Sequence, residues 1–423
     1  GGRIAADGGA ERRDCSGCLI VPGNVCAHTH LYSALARGMP YDLAPPDDFL
    51  QILQRVWWRL DRALDEDIVR ASALVGGMEA LLSGTTTLVD HHASPNAIDG
   101  SLDVIADALS ELGMRSVLCY ETSDRDGPER ARAGLAENRR FADRMQHDRP
   151  LLTRALVGAH ASFTLSDETL AECADIAQTF EIGLHIHAAE DAVDERNSIA
   201  SHGQRVVARL AHAGALDDRT LLAHGVHLDA DELGLVLAAD AFLAHNARSN
   251  MNNAVGRAHL EALAGRVALG TDGIGADMFE ESRAAFFRLR EDDVHAGAEW
   301  PLDRLAAGAA LAAAAFGERH LGTLDLDAPA DLVVLDYAAP TPLDANSFAG
   351  HWVFGLGSRH VRDVMVAGEW VVLDGQLVRV DHRELAAQAR AQAERLWSRL
   401  DEIPQHDFEP KGGLRWQSPL MTG

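Results

Sequence analysis

Eight short apolar runs, each ending in polar residues and each followed by helical sequence, constrain the fold of this chain more than any other feature. They cover residues 25–30, 86–91, 115–121, 154–160, 183–190, 220–224, 241–246 and 267–272. Rich in Val, Leu and Ala, they read as strands of a parallel sheet buried on both faces. Helical patterns lie between them, at 68–82, 102–112, 167–180, 203–213, 231–239 and 281–290. The alternation predicts an α/β fold, a (β/α)8 TIM-like barrel over residues 25–323. Barrel enzymes carry their chemistry at the C-terminal ends of the strands, where this chain gathers its polar residues. Helix caps explain one or two such residues, not eight strands in succession.

From residue 324 the text changes to short alternating strands, at 331–336 and 364–373, with Asp374-Gly375 reading as a hairpin turn before 377–380. The opening segment, 3–21, has weak strand character as well. Both chain ends are therefore expected to form one small β-sandwich domain, from residues 1–24 and 324–382. Residues 383–423 supply a closing helix, 383–400, and an aperiodic tail.

The net charge of −26 argues against a nucleic-acid partner, since no Lys/Arg run offers a polyanion a basic patch. The most apolar stretch, 305–316, spans 12 residues where a membrane helix needs about 20. Cys15, Cys18, Cys26, Cys119 and Cys173 are odd in number and scattered, with no signal-peptide pattern, which predicts a reducing cytoplasm and no disulfide framework. Cys15-Ser16-Gly17-Cys18 has no second CxxC or CxxH to complete a zinc site and reads as packed thiols.

The sharpest local signal is His28-Thr29-His30, closing the first strand. Residues two apart in a strand share a face, so both imidazoles project at the barrel mouth and can chelate one ion. His187 and His224 end the fifth and sixth strands, Glu190 follows three residues after His187, and Asp272 ends the eighth strand in Gly270-Thr271-Asp272-Gly273. Singly, each reads as a cap or a satisfied polar residue. Together they form a nitrogen and oxygen ligand set suited to Zn²⁺, with Fe²⁺ or Mn²⁺ as alternatives.

This set resembles the amidohydrolase superfamily, in the branch of cytosine, guanine and S-adenosylhomocysteine deaminases and triazine chlorohydrolases. It is most similar to the SsnA family of aminohydrolases. The stretches that carry the likeness are Trp57-Trp58-Arg59-Leu60-Asp61, Asp90-His91-His92-Ala93-Ser94-Pro95, the run 183–191 and His245-Asn246-Ala247-Arg248-Ser249-Asn250-Met251-Asn252-Asn253. The resemblance implies one divalent metal held by His28, His30, His187 and Asp272, with His224 on the attacking water or the substrate. It implies that Glu190 passes a proton to a ring nitrogen and that Asp272 accepts one. The ion would bring the pKa of its water toward about 7, so hydroxide attacks an amino-bearing carbon and ammonia leaves. Relatives with two metals usually bridge them with a lysine at the end of strand four. Here that strand ends in Gly158-Ala159-His160, and Lys411, the only lysine, lies far away.

His160 is then expected to face the substrate, or else to be a packed histidine beside the site. His185 reads as lying behind His187, and one of His91 and His92 as pointing into the pocket. His92, Asn246, Arg248 and Trp58 complete the expected substrate contacts, Arg248 being equally open to a structural ion pair and Trp58 to packing. The expected activity is hydrolysis of a C–N bond, not peptide, in a small heterocycle, by a chain compatible with a homo-oligomer. Two rivals remain: a chlorohydrolase or N-alkylamine hydrolase of the triazine type, and a barrel that binds metal or ligand without turnover. Only 27 residues precede His28, about half of what such relatives carry, so the first sandwich strands are expected to be truncated or absent.

Overall fold

All eight barrel strands form, one of them in two pieces, in a computed structural model that describes residues 13–41, 43–406 and 409. After β1 (Leu19–Pro22) come β2 (Asn24–Thr29), β3 (Thr85–His92), β4 (Arg115–Tyr120), the split pair β5 (Thr153–Ala155) and β6 (Val157–Ala161), β7 (Leu184–Ala188), β8 (Leu221–His224), β9 (Phe242–His245) and β10 (Val267–Leu269). They hydrogen-bond in the orders β2-β3-β4-β5 and β6-β7-β8-β9-β10, every barrel pair parallel. Bridges between Thr29 and Asp272, and between Thr122 and Ala159, join the two halves into a ring.

The strand break at Leu156 is held by Asn138, from the helix Pro128–Asp148. Its Oδ1 accepts from the backbone N–H of Tyr120 and Gly158, and its Nδ2 donates to the carbonyls of the same two residues. One buried amide thus replaces the ladder between neighbouring strands. Gly158 is required there, because a Cβ would lie 2.2 Å from the Tyr120 carbonyl oxygen.

The inner side chains Val25, Val89, Val117, Leu221 and Ala268 pack against Ala307, Leu311 and Phe316 of the helix Trp300–Phe316. The apolar stretch 305–316 is therefore a core helix. Its alanines allow it to lie close to the strands, and a Cβ on Gly308 would come 3.3 Å from the Val25 carbonyl oxygen. Among the described residues, no helix is long and apolar enough to cross a membrane.

β11 (Leu332–Leu335), β12 (Val361–Val366), β13 (Glu369–Leu373) and β14 (Gln376–Leu377) join β1 in an antiparallel five-stranded sheet, ordered β1-β11-β12-β13-β14. Chain start and chain end meet as expected, with one sheet among the described residues in place of a full sandwich. The strand expected over 364–373 is instead a hairpin, turning at Ala367-Gly368 with φ of 49° and 85°. Alanine carries no turn signal, so periodicity ran through it. Asp374-Gly375 does turn, both residues having positive φ. The sheet is fixed to the barrel by Arg115, whose Nε and Nη2 donate to the buried Asp331 carboxylate at 2.7 and 3.0 Å. The closing helix runs His382–Glu402. Beyond it, buried Glu409 accepts from Arg59 and Arg62, while Lys411 lies outside the described residues.

Candidate active site

At the barrel mouth two β-bulges re-aim the strand ends. Four residues of β2, Cys26 to Thr29, oppose three of β3, Leu88 to Asp90, and the β6–β7 register slips around His160. His224 and Asp272 take left-handed backbone at φ of 76° and 53°, a conformation that concentrates at functional sites.

His28, His30, His187 and Asp272 converge. Asp272 Oδ1 lies 2.9 Å from His30 Nε2 and 3.3 Å from His28 Nε2, and His30 Nε2 lies 3.1 Å from His187 Nε2. His30 Nδ1 donates to the His91 carbonyl at 2.6 Å and His187 Nδ1 to the His160 carbonyl at 2.8 Å. A carbonyl oxygen only accepts, so both Nδ1 atoms carry protons and the two Nε2 atoms face each other. Such an arrangement calls for a positive charge at that point. Burial pushes the His30 imidazole down, but the Asp272 carboxylate outweighs it and holds it up at about 9. Burial takes His28 down to about 3 and His187 well below the usual range, keeping them neutral and able to ligate. His28 Nε2 and His224 Nε2 are buried without a hydrogen-bond partner among the described residues. Two neutral imidazoles, a third held in its charged form by Asp272, and the Asp272 carboxylate itself make a nitrogen and oxygen donor set that fits a divalent cation in place of the His30 proton. Among the described residues, two groups of four side chains are close enough to hold an ion, His28, His187, His224 and Asp272, and His30, His91, Glu121 and His187, with His187 in both.

Two further carboxyl environments diverge. Glu190 is pushed well above the usual carboxylate range by burial and by the Asp272 charge. Asp272, despite its burial, is held well below that range by His28 and His30. Glu190 Oε2 lies 3.5 Å from His224 Nε2, and Asn253 Nδ2 donates to Oε1 at 3.3 Å. His224 Nδ1 lies 2.8 Å from Asn250 Oδ1, which turns Nε2 toward the site. His185 stands behind His28, Nε2 to Nδ1 at 2.9 Å, rather than simply deeper along its own strand.

A pocket opens over these groups. Trp58 and His160 line it, together with Tyr32, Trp57, Phe163 and Glu121. Three expected substrate contacts lie away from that wall. The Arg248 Nε donates to Glu281 at 2.6 Å, with Nη1 to Glu280 and Nη2 to the Gly275 carbonyl, so of its two readings the structural ion pair is the one formed. His92 Nε2 lies 2.9 Å from Ser94 Oγ, and Asn246 is buried against Gly270, where a Cβ would come 2.4 Å from Oδ1. Of the adjacent pair, His91 rather than His92 stands among the histidines of the site, 4.8 Å from His187 between ring centroids. Sequence reasoning passed over Glu121, although it ends the third run, and over Asn253 within a stretch already singled out.

A family model described as "Amidohydrolase family" matches residues 19–371. The chain belongs to the amidohydrolase family. A 5-methylthioadenosine/S-adenosylhomocysteine deaminase from Nitratidesulfovibrio vulgaris is 35% identical over 396 residues, covering 91% of this chain and 87% of that protein. A 5'-deoxyadenosine deaminase from Methanopyrus kandleri is 30% identical over 387 residues, covering 90% and 87%. Among solved structures, an adenosine deaminase from Xanthomonas campestris with bound zinc superposes with a TM-score of 0.80 at 25% identity, over 90% of this chain and 87% of that one. A triazine hydrolase from Arthrobacter aurescens, with a TM-score of 0.76 at 22% identity over 89% and 88%, shares the fold. This amidohydrolase is thus a metal-dependent hydrolase of the deaminase type, acting on a carbon–nitrogen bond other than a peptide bond in a small molecule. A barrel that only binds is set aside by the same relatives.

Proposed function

We propose that this amidohydrolase is a single-zinc aminohydrolase that removes an amino group from a purine-type heterocycle. The convergence at His30 Nε2 carries the reading, because His187 Nε2 and Asp272 Oδ1 both lie within 3.1 Å of it and donor atoms that close draw a positive charge to their centre. His28 and Asp272 complete the ligand set, and His160 stands where a bridging lysine would support a second ion. A zinc ion held there supplies the Lewis acidity that makes water nucleophilic at neutral pH.

The chain's own residues handle the protons. Asp272, held ionised, takes a proton from the water as its oxygen bonds to the amino-bearing carbon. Glu190, kept protonated by its burial, gives its proton to the adjacent ring nitrogen as negative charge develops there. His224 orients the water from the other side of Glu190. Transfer of the proton from Asp272 to the amino group lets ammonia leave, while the added hydroxyl gives its remaining proton to Glu190 as the C=O forms and the ring nitrogen keeps the proton it received. A leaving chloride needs no such proton, so the divergent pair Glu190 and Asp272 supports ammonia over chloride. Relatives named for adenosine derivatives support the purine class.

Metal analysis of the purified protein, with ammonia release measured over adenosine, 5'-deoxyadenosine and methylthioadenosine, tests this. About one zinc per chain and ammonia from at least one nucleoside are expected. Chloride from a chlorotriazine without ammonia from any amine overturns it.

A further inference from the structure

One acidic side chain of the cavity wall has no part in the chemistry above. Glu121 follows β4 at the mouth and is buried, with its carboxylate between two histidines. Oε2 lies 3.1 Å from His91 Nδ1, and His91 Nε2 lies 3.1 Å from the His185 carbonyl oxygen. The carbonyl only accepts, so Nε2 carries a hydrogen. The hydrogen between Nδ1 and Oε2 then rests on one or the other atom. In both cases Glu121 Oε1 has no proton and acts only as an acceptor.

The neighbouring histidine is fixed by the same reasoning. The Thr164 hydroxyl donates to the Ala161 carbonyl at 3.1 Å, so its oxygen accepts from His160 Nδ1 at 2.7 Å. His160 Nε2 is left with a lone pair. It sits 3.7 Å from Glu121 Oε1, beyond hydrogen-bond distance. Two acceptors therefore stand side by side on the cavity wall with no donor between them, placed to receive hydrogens from a ligand. Trp58 and Phe163 flank them, with ring centroids 5.9 and 5.8 Å from His160. The lining residues include no Lys or Arg, while Glu190, Asp191, Asp194 and Asp272 add four more carboxyl groups.

We infer that the substrate is a flat nitrogen heterocycle, uncharged or cationic, with a second N–H-bearing group beside the amino group that leaves. That group donates to Glu121 Oε1 and His160 Nε2. Glu121 is a specificity-determining residue, and Thr164 a positioning residue that acts through the His160 tautomer. The same wall disfavours ligands with a carboxylate or phosphate tail. The inference rests on the proposed aminohydrolase site being where substrate binds.

Matched probes test it on the zinc-loaded protein: 2,6-diaminopurine against adenine, with S-adenosylhomocysteine as the carboxylate-bearing arm. Calorimetric Kd and ammonia release are read separately. The diamino compound is expected to be favoured at least about tenfold in both, the worth of one good hydrogen bond to a charged acceptor. Glu121→Gln, which places an amide at the wall, is expected to remove most of that advantage through Kd and KM. Thr164→Val, which leaves the Glu121–His91 pair intact, is expected to weaken it by freeing the His160 proton. Equal handling of adenine and 2,6-diaminopurine overturns the inference. So does an advantage that survives both substitutions, or S-adenosylhomocysteine as the best ligand. A binding preference without ammonia defeats the aminohydrolase reading and leaves this one standing; ammonia without preference does the reverse. Binding and release of nothing defeat both.

Discussion

The Ser249 hydroxyl donates to Asp272 Oδ2 at 2.5 Å while Oδ1 of the same carboxylate faces His28 and His30. Asn253 links this pair to the other carboxyl group, with Nδ2 reaching both Ser249 Oγ and Glu190 Oε1. Ser249→Ala removes a hydrogen bond to a charged group, worth about 1.5–3 kcal/mol. Because that bond holds the Asp272 carboxylate in place for its proton transfer, kcat is expected to fall roughly tenfold to a hundredfold with metal content unchanged. Steady-state kinetics beside metal analysis check this, and an unchanged kcat would remove Ser249 from the site.

Glu190→Gln keeps the size and the Asn253 contact but has no proton to give. It is expected to retain the metal and to lose about 10²–10⁴-fold in kcat, the usual contribution of a positioned acid or base. Ammonia release at saturating substrate reads it, and normal turnover would show that Glu190 moves no proton.

Chelation is expected to abolish activity and lower Tm together, because the ion is bound by the folded site and not by the unfolded chain. Zinc restores both. Full activity after exhaustive dialysis against chelator, with metal verified absent, would exclude the assigned ligand set.

Arg248→Ala leaves the buried Glu281 carboxyl without its partner, a loss of about 3–5 kcal/mol for a broken buried pair. Stability in urea should drop by that order while KM changes little, as Arg248 does not line the cavity. A KM effect larger than about tenfold, without lost stability, would return Arg248 to substrate binding.

Asn138→Ala removes the amide that joins β4 to β6 across the broken strand, taking the Asn138 partner from the N–H groups of Tyr120 and Gly158 and leaving their carbonyls only the Thr122 N–H. Each N–H left without its partner costs about 1–3 kcal/mol, so unfolding at a markedly lower urea concentration is expected. A midpoint within error of the parent would show that other groups satisfy them.

Much of this molecule is legible in its sequence because the signals are local or periodic. Parallel strands covered on both faces must be apolar throughout, so the runs read as strands wherever they stand in the text. The rule that barrel chemistry sits at strand ends then selected His28, His30, His187, Glu190, His224 and Asp272. The hairpin at Ala367-Gly368 and the interrupted fourth strand escaped, because one uses a residue with no turn preference and the other hides within a continuous apolar run. What only the tertiary structure decided is which polar groups share a proton and which side chains meet. Arg248 and Glu281 lie 33 positions apart, and His91, Glu121 and His160 end three different strands. Periodicity gives each of them a face. A hydrogen bond, a tautomer or an ion pair depends on ångströms between elements, and those distances are set by bulges, strand stagger and helix packing that no single segment encodes.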